Sequence, residues 1–304
     1  MVIAGAVLFA VNGTVSKLIL QAGIASQQLT LLRAAGAVTT LLVLSVALRP
    51  GPRRLAITRR ELPLLIAYGL TGFFAVPMLY FVAIARLPVG IALLFEYTAP
   101  LFVALWARFA QHQRVRRRLW IGLALSLAGL GCVAEVWGDL RLDGWGVLAG
   151  LGAAVLLASY YILGARGIRQ RDTLSLTTWA FGVSAVAGLL TRAAIAGTGG
   201  WEPLATTSNG APVPLLCAYL VIGGSVVPYL LGAAALRHLP ATSVSIVSMV
   251  EPVLAATVAW VALGASEVLN AAQITGGVLV LVGVALAETA RADAPARAPI
   301  PIPG

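Results

Sequence analysis

The sequence predicts an all-α integral membrane protein of ten transmembrane helices, arranged as two inverted five-helix repeats. Composition is the first reason: of the 304 residues, 60% are hydrophobic and 11% are charged, with a mean hydropathy of +0.93. Globular domains average about 45–50% apolar and about 25% charged residues. The second reason is a series of long apolar runs, and the third is an internal repeat of two of those runs. Together they leave no segment for a soluble catalytic domain.

Ten apolar runs each have about the twenty residues that a helix needs to cross the hydrocarbon core of a bilayer. They are continuous and lack the alternation of polar and apolar residues that marks the strands of membrane barrels. The first run has no basic segment before it and contains Asn12 and Lys17, so we interpret it as a membrane helix and not as a cleaved signal peptide. The predicted spans are 2–20, 28–48, 62–84, 89–110, 119–136, 145–163, 174–192, 214–236, 241–263 and 271–290.

Two apolar stretches, 86–108 and 237–260, resemble each other closely enough to indicate an internal repeat. Pro100 and Pro252 occupy matching positions in them, 152 residues apart. Because five helices per copy is an odd number, the second copy enters the membrane from the opposite side, and the repeat is inverted. The predicted units are a first repeat over 1–143, a second over 144–290 and a disordered, proline-rich cytoplasmic tail over 291–304.

The distribution of basic residues predicts the orientation. Fifteen of the 21 fall in loops that would share one side of the membrane, whereas Arg86, Arg141 and Arg192 fall in the opposite loops. The positive-inside rule then places both termini in the cytoplasm. We expect the membrane to be a bacterial inner membrane. The basic runs are short and lack interleaved aromatic residues, so we expect membrane lipid as their partner and no nucleic acid.

Charged residues inside predicted spans are costly to bury and are therefore candidates for function. Glu96 lies seven residues into its span, about 10 Å deep at 1.5 Å per residue. Lys17 and Arg33 lie near the outer ends of the first two spans, so both could share a cavity with Glu96, and Asn12 adds a polar amide. The alternatives are that the two cations extend to the membrane surface, that Glu96 forms a structural ion pair, or that Glu96 carries a proton.

Prolines inside the spans supply a second kind of polar site, because a proline leaves the carbonyl four residues earlier without its helical donor. The carbonyls concerned belong to Phe73, Glu96, Gly224 and Ser248. Kinked helices are suitable places for gating, and the alternative is a plain kink satisfied by neighbouring groups. The gating candidates are Pro77, Pro100, Pro228 and Pro252.

Small polar residues of the ninth span lie on the same face as Pro252. Ser245 and Ser248 are three residues apart and are candidates for substrate contact, with packing between helices as the alternative. Glu251 lies near mid-depth, but its counterpart in the first repeat is Ala99. We therefore interpret Glu251 as the holder of a structural hydrogen bond.

Aromatic residues within the spans would form the apolar wall of a cavity for an organic substrate. Against this interpretation, any single aromatic residue in a span also suits core packing or contact with lipid. The aromatic candidates for substrate binding are Tyr80, Tyr97, Tyr160 and Trp179.

Residue patterns for catalysis are absent from the sequence. His112 and His238 fall in opposite loops, and Cys132 and Cys217 stand singly in apolar spans. No cluster has the spacing of a metal site or of a nucleophile with its base, and no phosphate-binding glycine loop occurs. We expect no enzyme activity, no cofactor and no metal.

Several motifs resemble the drug/metabolite transporter superfamily and, within it, the EamA family of ten-helix exporters. They are AsnGly at 12–13 with Lys17 and Arg33, the stretch from Arg86 to Leu101, SerTyrTyr at 159–161 and MetValGluPro opening 249–260. The stretch from Arg86 to Leu101 is similar to the fourth helix of amino-acid exporters of that family, of the threonine/homoserine and aromatic amino-acid types. The family's GlyGlu pair after the fourth and ninth helices is not matched here, so no role is transferred to those positions.

The resemblance implies a secondary transporter that exports small metabolites by alternating access, with amino acids as the expected substrate class. A zwitterion would need a cation such as Lys17 or Arg33 and an acceptor such as Glu96, with protons as a further candidate partner. The alternatives are a passive channel, which would need a continuous polar file, and a membrane-embedded transferase, which would need convergent acidic or histidine residues on the loops.

Overall fold

The computed structural model describes residues 1–22, 24, 26–48, 55–84, 86–87, 89–137, 143–195, 207–208, 211–263 and 270–292, and these are almost wholly helical. A two-residue antiparallel pair, Thr207–Ser208 with Ala211–Pro212, is the exception in this part of the chain. The α-helices are α1 Val2–Gln21, α2 Ser26–Leu48, α3 Leu62–Tyr68, α4 Val76–Ile84, α5 Val89–Glu96, α6 Ala99–Phe109, α7 Arg117–Val133, α8 Gly144–Gln170, α9 Thr173–Ile195, α10 Val213–Val221, α11 Val227–His238, α12 Ala241–Ser248, α13 Glu251–Leu263 and α14 Ala271–Ala292.

Eight helical segments of the described chain are long and apolar enough to cross a membrane, which makes this a multi-pass membrane protein. They coincide with eight of the ten predicted spans. The first predicted span corresponds to α1, whose apolar described part is the shorter Val2–Ser16, and the fifth to α7, which has 17 residues. Ten crossings therefore remain a prediction. The predicted tail falls outside the described residues beyond Ala292.

Two spans contain a short π-helical segment just before a proline. Gly69–Ala75 lies between α3 and α4, and Ile222–Val226 lies between α10 and α11. The N–H of Val76 donates to the carbonyl of Thr71, and the N–H of Val227 donates to that of Ile222, five residues back in both cases. The wider turn accommodates the prolines that follow, Pro77 and Pro228, which cannot donate.

The predicted spans 89–110 and 241–263 are each two helices and not one continuous helix. Residues Tyr97 and Thr98 separate α5 from α6, and the equivalent pair 152 positions later, Met249 and Val250, separates α12 from α13. Pro100 and Pro252 are the second residues of the new helices, where a missing N–H costs no intrahelical hydrogen bond. These prolines therefore begin second helices and do not kink continuous ones.

Helix α8 lies at the centre and contacts α4, α5, α6, α11 and α12. At the edge, α7 packs along α14 through small residues. A Cβ added to Gly129 would lie 2.6 Å from the carbonyl oxygen of Gly276, so the two backbones touch. Close approach of this kind is how helices associate in lipid, where the hydrophobic effect does not drive them together. Neither α7 nor α14 contributes a described residue to the lining of the central cavity.

Candidate substrate cavity

A cavity of about 240 Å³ lies between α1, α2, α4, α5, α8 and α11–α13, with the first π-helical segment also contributing to its wall. The first π-helical segment and the residues that flank both helix breaks border it, so irregular backbone lies beside the cavity, where other groups of the protein can satisfy it. Its polar lining consists of Asn12, Ser16, Arg33, Glu96, Ser248 and Glu251, and its aromatic lining of Phe9, Tyr80, Phe81, Tyr97, Tyr160, Tyr161 and Tyr229.

Two glutamates face each other in this cavity from the two helix breaks. Glu96 is the last residue of α5, and Glu251 is the first residue of α13. Their carboxyl groups are close enough to repel each other when both are charged. The hydroxyl of Tyr97 is placed to donate to the Glu251 carboxylate, and Tyr80 lies near both acids. Glu251 thus lines the cavity, and it also has a hydrogen bond, from Tyr97, of the kind expected from the sequence.

Arg33 of α2 is held in the cavity wall by a carbonyl that a proline has freed. One of its terminal nitrogens donates to the carbonyl of Phe73 at 3.4 Å, and the hydroxyl of Ser184 donates to the same oxygen at 2.9 Å. Pro77 cannot use this carbonyl, as the sequence predicted, and neighbouring groups satisfy it. The Arg33 guanidinium also lies beside the Tyr229 hydroxyl. Its buried Nε finds no hydrogen-bond partner among the described residues, so one donor is left over.

Asn12 of α1 occupies the corresponding place against the second proline-containing span. Its side chain is pressed against Gly224, the residue whose carbonyl Pro228 leaves free, and a Cβ at Gly224 would collide with the Asn12 amide oxygen. Gly224 is therefore required for this close approach. The Oδ1 atom of Asn12 is buried and has no hydrogen-bond partner within the described chain. The cavity wall thus contains an unmatched donor and an unmatched acceptor.

An aromatic cluster lies next to Arg33, with Phe9 and Tyr229 at the cavity and Phe73 and Phe181 buried behind them. Phe73 lies 4.3 Å from Tyr229 and 4.8 Å from Phe181 between ring centroids, and Tyr229 packs edge to face on Phe9 at 5.3 Å. The Tyr229 hydroxyl donates to the carbonyl of Gly72 at 3.4 Å. Such packing orients the rings and leaves them little freedom, which gives the cavity a rigid apolar side.

The sequence-based site residues divide into those at the cavity and those elsewhere. Trp179 and Ser245 do not line the cavity. Trp179 donates from its indole to the carbonyl of Leu55 at 3.1 Å, and the buried Ser245 donates to the carbonyl of Thr242 at 2.9 Å. Pro100 and Pro252 are buried beside it, and the side chain of Lys17 lies outside the described residues. At the cavity are Asn12, Arg33, Pro77, Tyr80, Glu96, Tyr97, Tyr160, Pro228 and Ser248.

Three cavity residues of chemical interest were not among those candidates: Tyr161, Tyr229 and Glu251. The hydroxyl groups of Tyr161 and Ser248 interact directly. A signal for Glu251 existed in the sequence, since a carboxylate at mid-depth is costly. The predicted repeat concealed it, because the residue 152 positions earlier is Ala99.

A second charged cluster lies outside the membrane-spanning segments, and we call it the loop anchor. Arg171 binds both carboxylate oxygens of Glu61, at 3.2 and 3.3 Å, and donates to the Ser175 hydroxyl at 2.6 Å and to the carbonyl of Ala56. Thr58 donates to Glu61 from its backbone N–H at 2.9 Å and from its hydroxyl at 2.8 Å. These hydrogen bonds, from the Thr58 backbone first and from Arg171 next, lower the pKa of Glu61 from 4.5 to about 2.

Helical spans around a central polar cavity are typical of membrane transporters, and comparison with known proteins agrees. The model of the EamA-like transporter family matches residues 1–134 and 144–289, so the chain belongs to that family. The threonine/homoserine exporter RhtA of Salmonella typhimurium (strain SL1344) is 30% identical over 234 residues, which are 77% of this chain and 72% of that protein.

Two further similarities are more distant. The uncharacterized transporter YdfC of Bacillus subtilis is 25% identical over 225 residues, which cover 74% of this chain and 71% of that protein. One protein of known crystal structure superimposes with a TM-score of 0.79 over 96% of both chains at 20% identity. At that identity the likeness concerns the fold.

Proposed function

We propose that this protein is a secondary transporter that exports amino acids by alternating access. The observation that carries the proposal is the pairing of unmatched groups in one cavity. The Nε of Arg33 is a free donor on a cation, and Asn12 Oδ1 is a free acceptor in a cavity that also holds two carboxyl groups. A zwitterion complements both the donor and the acceptors. Its carboxylate can bind the guanidinium, and its ammonium group can donate to carboxylate and amide oxygens.

The size of the cavity supports a small substrate. Pockets for drug-sized ligands occupy about 300–1,000 Å³. At about 240 Å³ this cavity lies below that range, which is consistent with a metabolite of amino-acid size. The rigid aromatic side next to Arg33 would contact an apolar or aliphatic substrate side chain. RhtA, a relative of this chain, is named a threonine/homoserine exporter.

The same local features in both halves support two inverted repeats, 1–143 and 144–290. The π-helical segments end at Ala75 and Val226, 151 residues apart, and the helix breaks recur 152 residues apart. The two ranges that match the family also meet near the proposed boundary. Two inverted copies can exchange conformations around a shared site, which gives alternating access. In this proposal Pro77, Pro100, Pro228 and Pro252 mark the segments that move.

The orientation is part of the proposal: the inner membrane of a bacterium with both termini in the cytoplasm, supported by the arginine-rich loops. Alkaline phosphatase fused after Ala292 reports on this directly. The fusion should be inactive, because the enzyme folds only in the periplasm. An active fusion would contradict the orientation.

Efflux from proteoliposomes tests the transport proposal. The purified protein is reconstituted with radiolabelled threonine inside, and the panel is then extended to homoserine, aromatic and acidic amino acids. We expect efflux that saturates and that is accelerated by unlabelled substrate outside, because a carrier exchanges its occupant on each side. Efflux that never saturates would favour a passive channel, and a panel without any transported member would overturn the amino-acid proposal.

A further inference from the structure

The two glutamates of the cavity form a pair of like charges, and no cationic side chain among the described residues pairs with either of them. Arg33 lines the same cavity, but its guanidinium contacts the Phe73 carbonyl and the Tyr229 hydroxyl and forms no ion pair with Glu96 or Glu251. Two neighbouring carboxylates repel each other when both are ionised, and a charge within a membrane span is itself costly. A proton shared by the pair removes the repulsion.

The helix ends distinguish the two acids. Glu96 is at the C-terminal end of α5, where the helix dipole disfavours negative charge, and Glu251 is at the N-terminal end of α13, where the dipole favours it. The Tyr97 hydroxyl donates to Glu251 and stabilises its charged form. The shared proton therefore belongs mainly on Glu96.

The other titratable and charged groups that face the pair are few. Tyr80 approaches from α4, Tyr97 from the break between α5 and α6, Tyr161 from α8 and Tyr229 from α11, and Arg33 approaches from α2. Tyrosines are neutral at physiological pH. Among the described side chains of α1, α7 and α14, no charged one lines the cavity.

We propose that Glu96 and Glu251 together bind one proton and exchange it for the ammonium group of the substrate. This inference rests on the proposed function and names its coupling ion. When the ammonium group enters between the carboxylates, the proton leaves the pair for the solution on that side. When the substrate departs, a proton from the opposite solution takes its place. The pair and its occupant carry the same net charge in both states, so the cavity is never left with two unbalanced carboxylates.

Transport under an imposed pH gradient is the first test. Proteoliposomes loaded with radiolabelled threonine should release it faster when the external solution, which receives the substrate, is made acidic. Glu96→Gln and Glu251→Gln should each lose this acceleration, whereas Glu96→Asp should keep it with a shifted pH midpoint. Glu288→Gln on α14, which changes a carboxyl that does not line the cavity, should retain it. Acceleration that survives in both cavity variants would overturn the proton site.

Infrared difference spectra of the purified protein, recorded between acidic and alkaline pH without substrate, provide a readout that does not depend on transport. The wild type should have a carbonyl band of a protonated carboxylic acid, which Glu96→Gln removes and Glu288→Gln leaves in place. If the band is lost in this way but no amino acid is transported, the proton site stands and the proposed substrate class fails. If threonine is transported and the band persists in Glu96→Gln, the substrate class stands and the proton site is overturned.

Discussion

The cavity and the loop anchor contain the same kinds of charged side chain, but only in the loop anchor do these side chains have a full set of partners. In the loop anchor, Glu61 accepts from Thr58 and Arg171, and Arg171 uses its remaining donors on Ser175 and Ala56. In the cavity, Arg33 keeps an unmatched nitrogen, and Glu96 faces another carboxylate. A charge with a full set of partners holds a fixed geometry. A buried charge with partners missing is costly, and a protein retains such groups where a ligand completes the set.

Sequence position alone would not have distinguished the glutamates of the cavity from that of the loop anchor. Glu61 immediately precedes α3, at the edge of the membrane, where water and loop backbone supply partners. Glu96 ends a half-helix inside a span, where partners must come from other helices. The comparison therefore predicts that substitutions in the cavity change transport more than stability, and that substitutions in the loop anchor do the reverse.

Removing Arg33 should give the largest effect. Arg33→Ala deletes the donor proposed to bind the substrate carboxylate, and hydrogen bonds to charged groups contribute about 1.5–3 kcal/mol, or roughly a 10- to 150-fold change in affinity. The concentration of threonine that gives half-maximal transport should rise accordingly. Arg33→Lys, which keeps the charge but loses the planar fork, should give an intermediate value. A lowered melting temperature with unaltered affinity would mean that Arg33 is structural and that the comparison fails.

Removing Arg171 should affect stability instead. Arg171→Ala leaves Glu61 without its cationic partner and lowers the free energy of unfolding by about 1–3 kcal/mol. Thermal melting of the detergent-solubilised protein measures this. The matched control is Arg169→Ala, an exposed arginine in the last turn of α8, two residues before Arg171, where no change is expected. Transport per folded molecule should stay at the wild-type level. Altered transport by the folded variant would make the loop anchor part of the transport cycle.

The smallest expected effect is the pH dependence of the stability that Glu61 contributes. The pKa of Glu61 is about 2 in the folded protein against 4.5 ordinarily, because Thr58 and Arg171 stabilise the carboxylate. A lowered pKa means that the stabilisation is fully present above pH 4.5 and is lost as the pH falls towards about 2. The difference in melting temperature between wild type and Glu61→Gln should therefore be constant near neutrality and shrink across that acidic window. A difference independent of pH would exclude the charged carboxylate as its source.

Several features of the fold were predictable because they depend on local chemistry. Pro77 and Pro228 identified the irregular spans, since a proline cannot donate, and the carbonyl of Phe73 is indeed taken up by other groups. The same reasoning was insufficient at Pro100 and Pro252. A proline in the sequence is equally compatible with a kink and with the start of a new helix, and packing around Tyr97 and Met249 selects the second.

Site residues were predictable only where the cost of burial identified them. Glu96 and Arg33 are expensive in a span and proved to line one cavity. Trp179 was chosen as an aromatic residue within a span, but its indole N–H serves the carbonyl of Leu55. Aromatic residues occur in membrane helices for packing, for anchoring and for binding, and composition does not separate these uses.

What the amino-acid sequence determined by itself is the class of molecule: apolar runs of membrane-spanning length, a recurrence of prolines at nearly constant separation, and arginine-rich loops. Only the tertiary structure decided which polar groups meet. Arg33 reaches the carbonyl of Phe73, Asn12 lies against Gly224, and Glu96 faces Glu251, each across different helices. Helical periodicity assigns a residue to a face of its own helix. The identity of the residue opposite depends on how helices distant in the chain pack, and that packing is settled by shape and close contact among all of them.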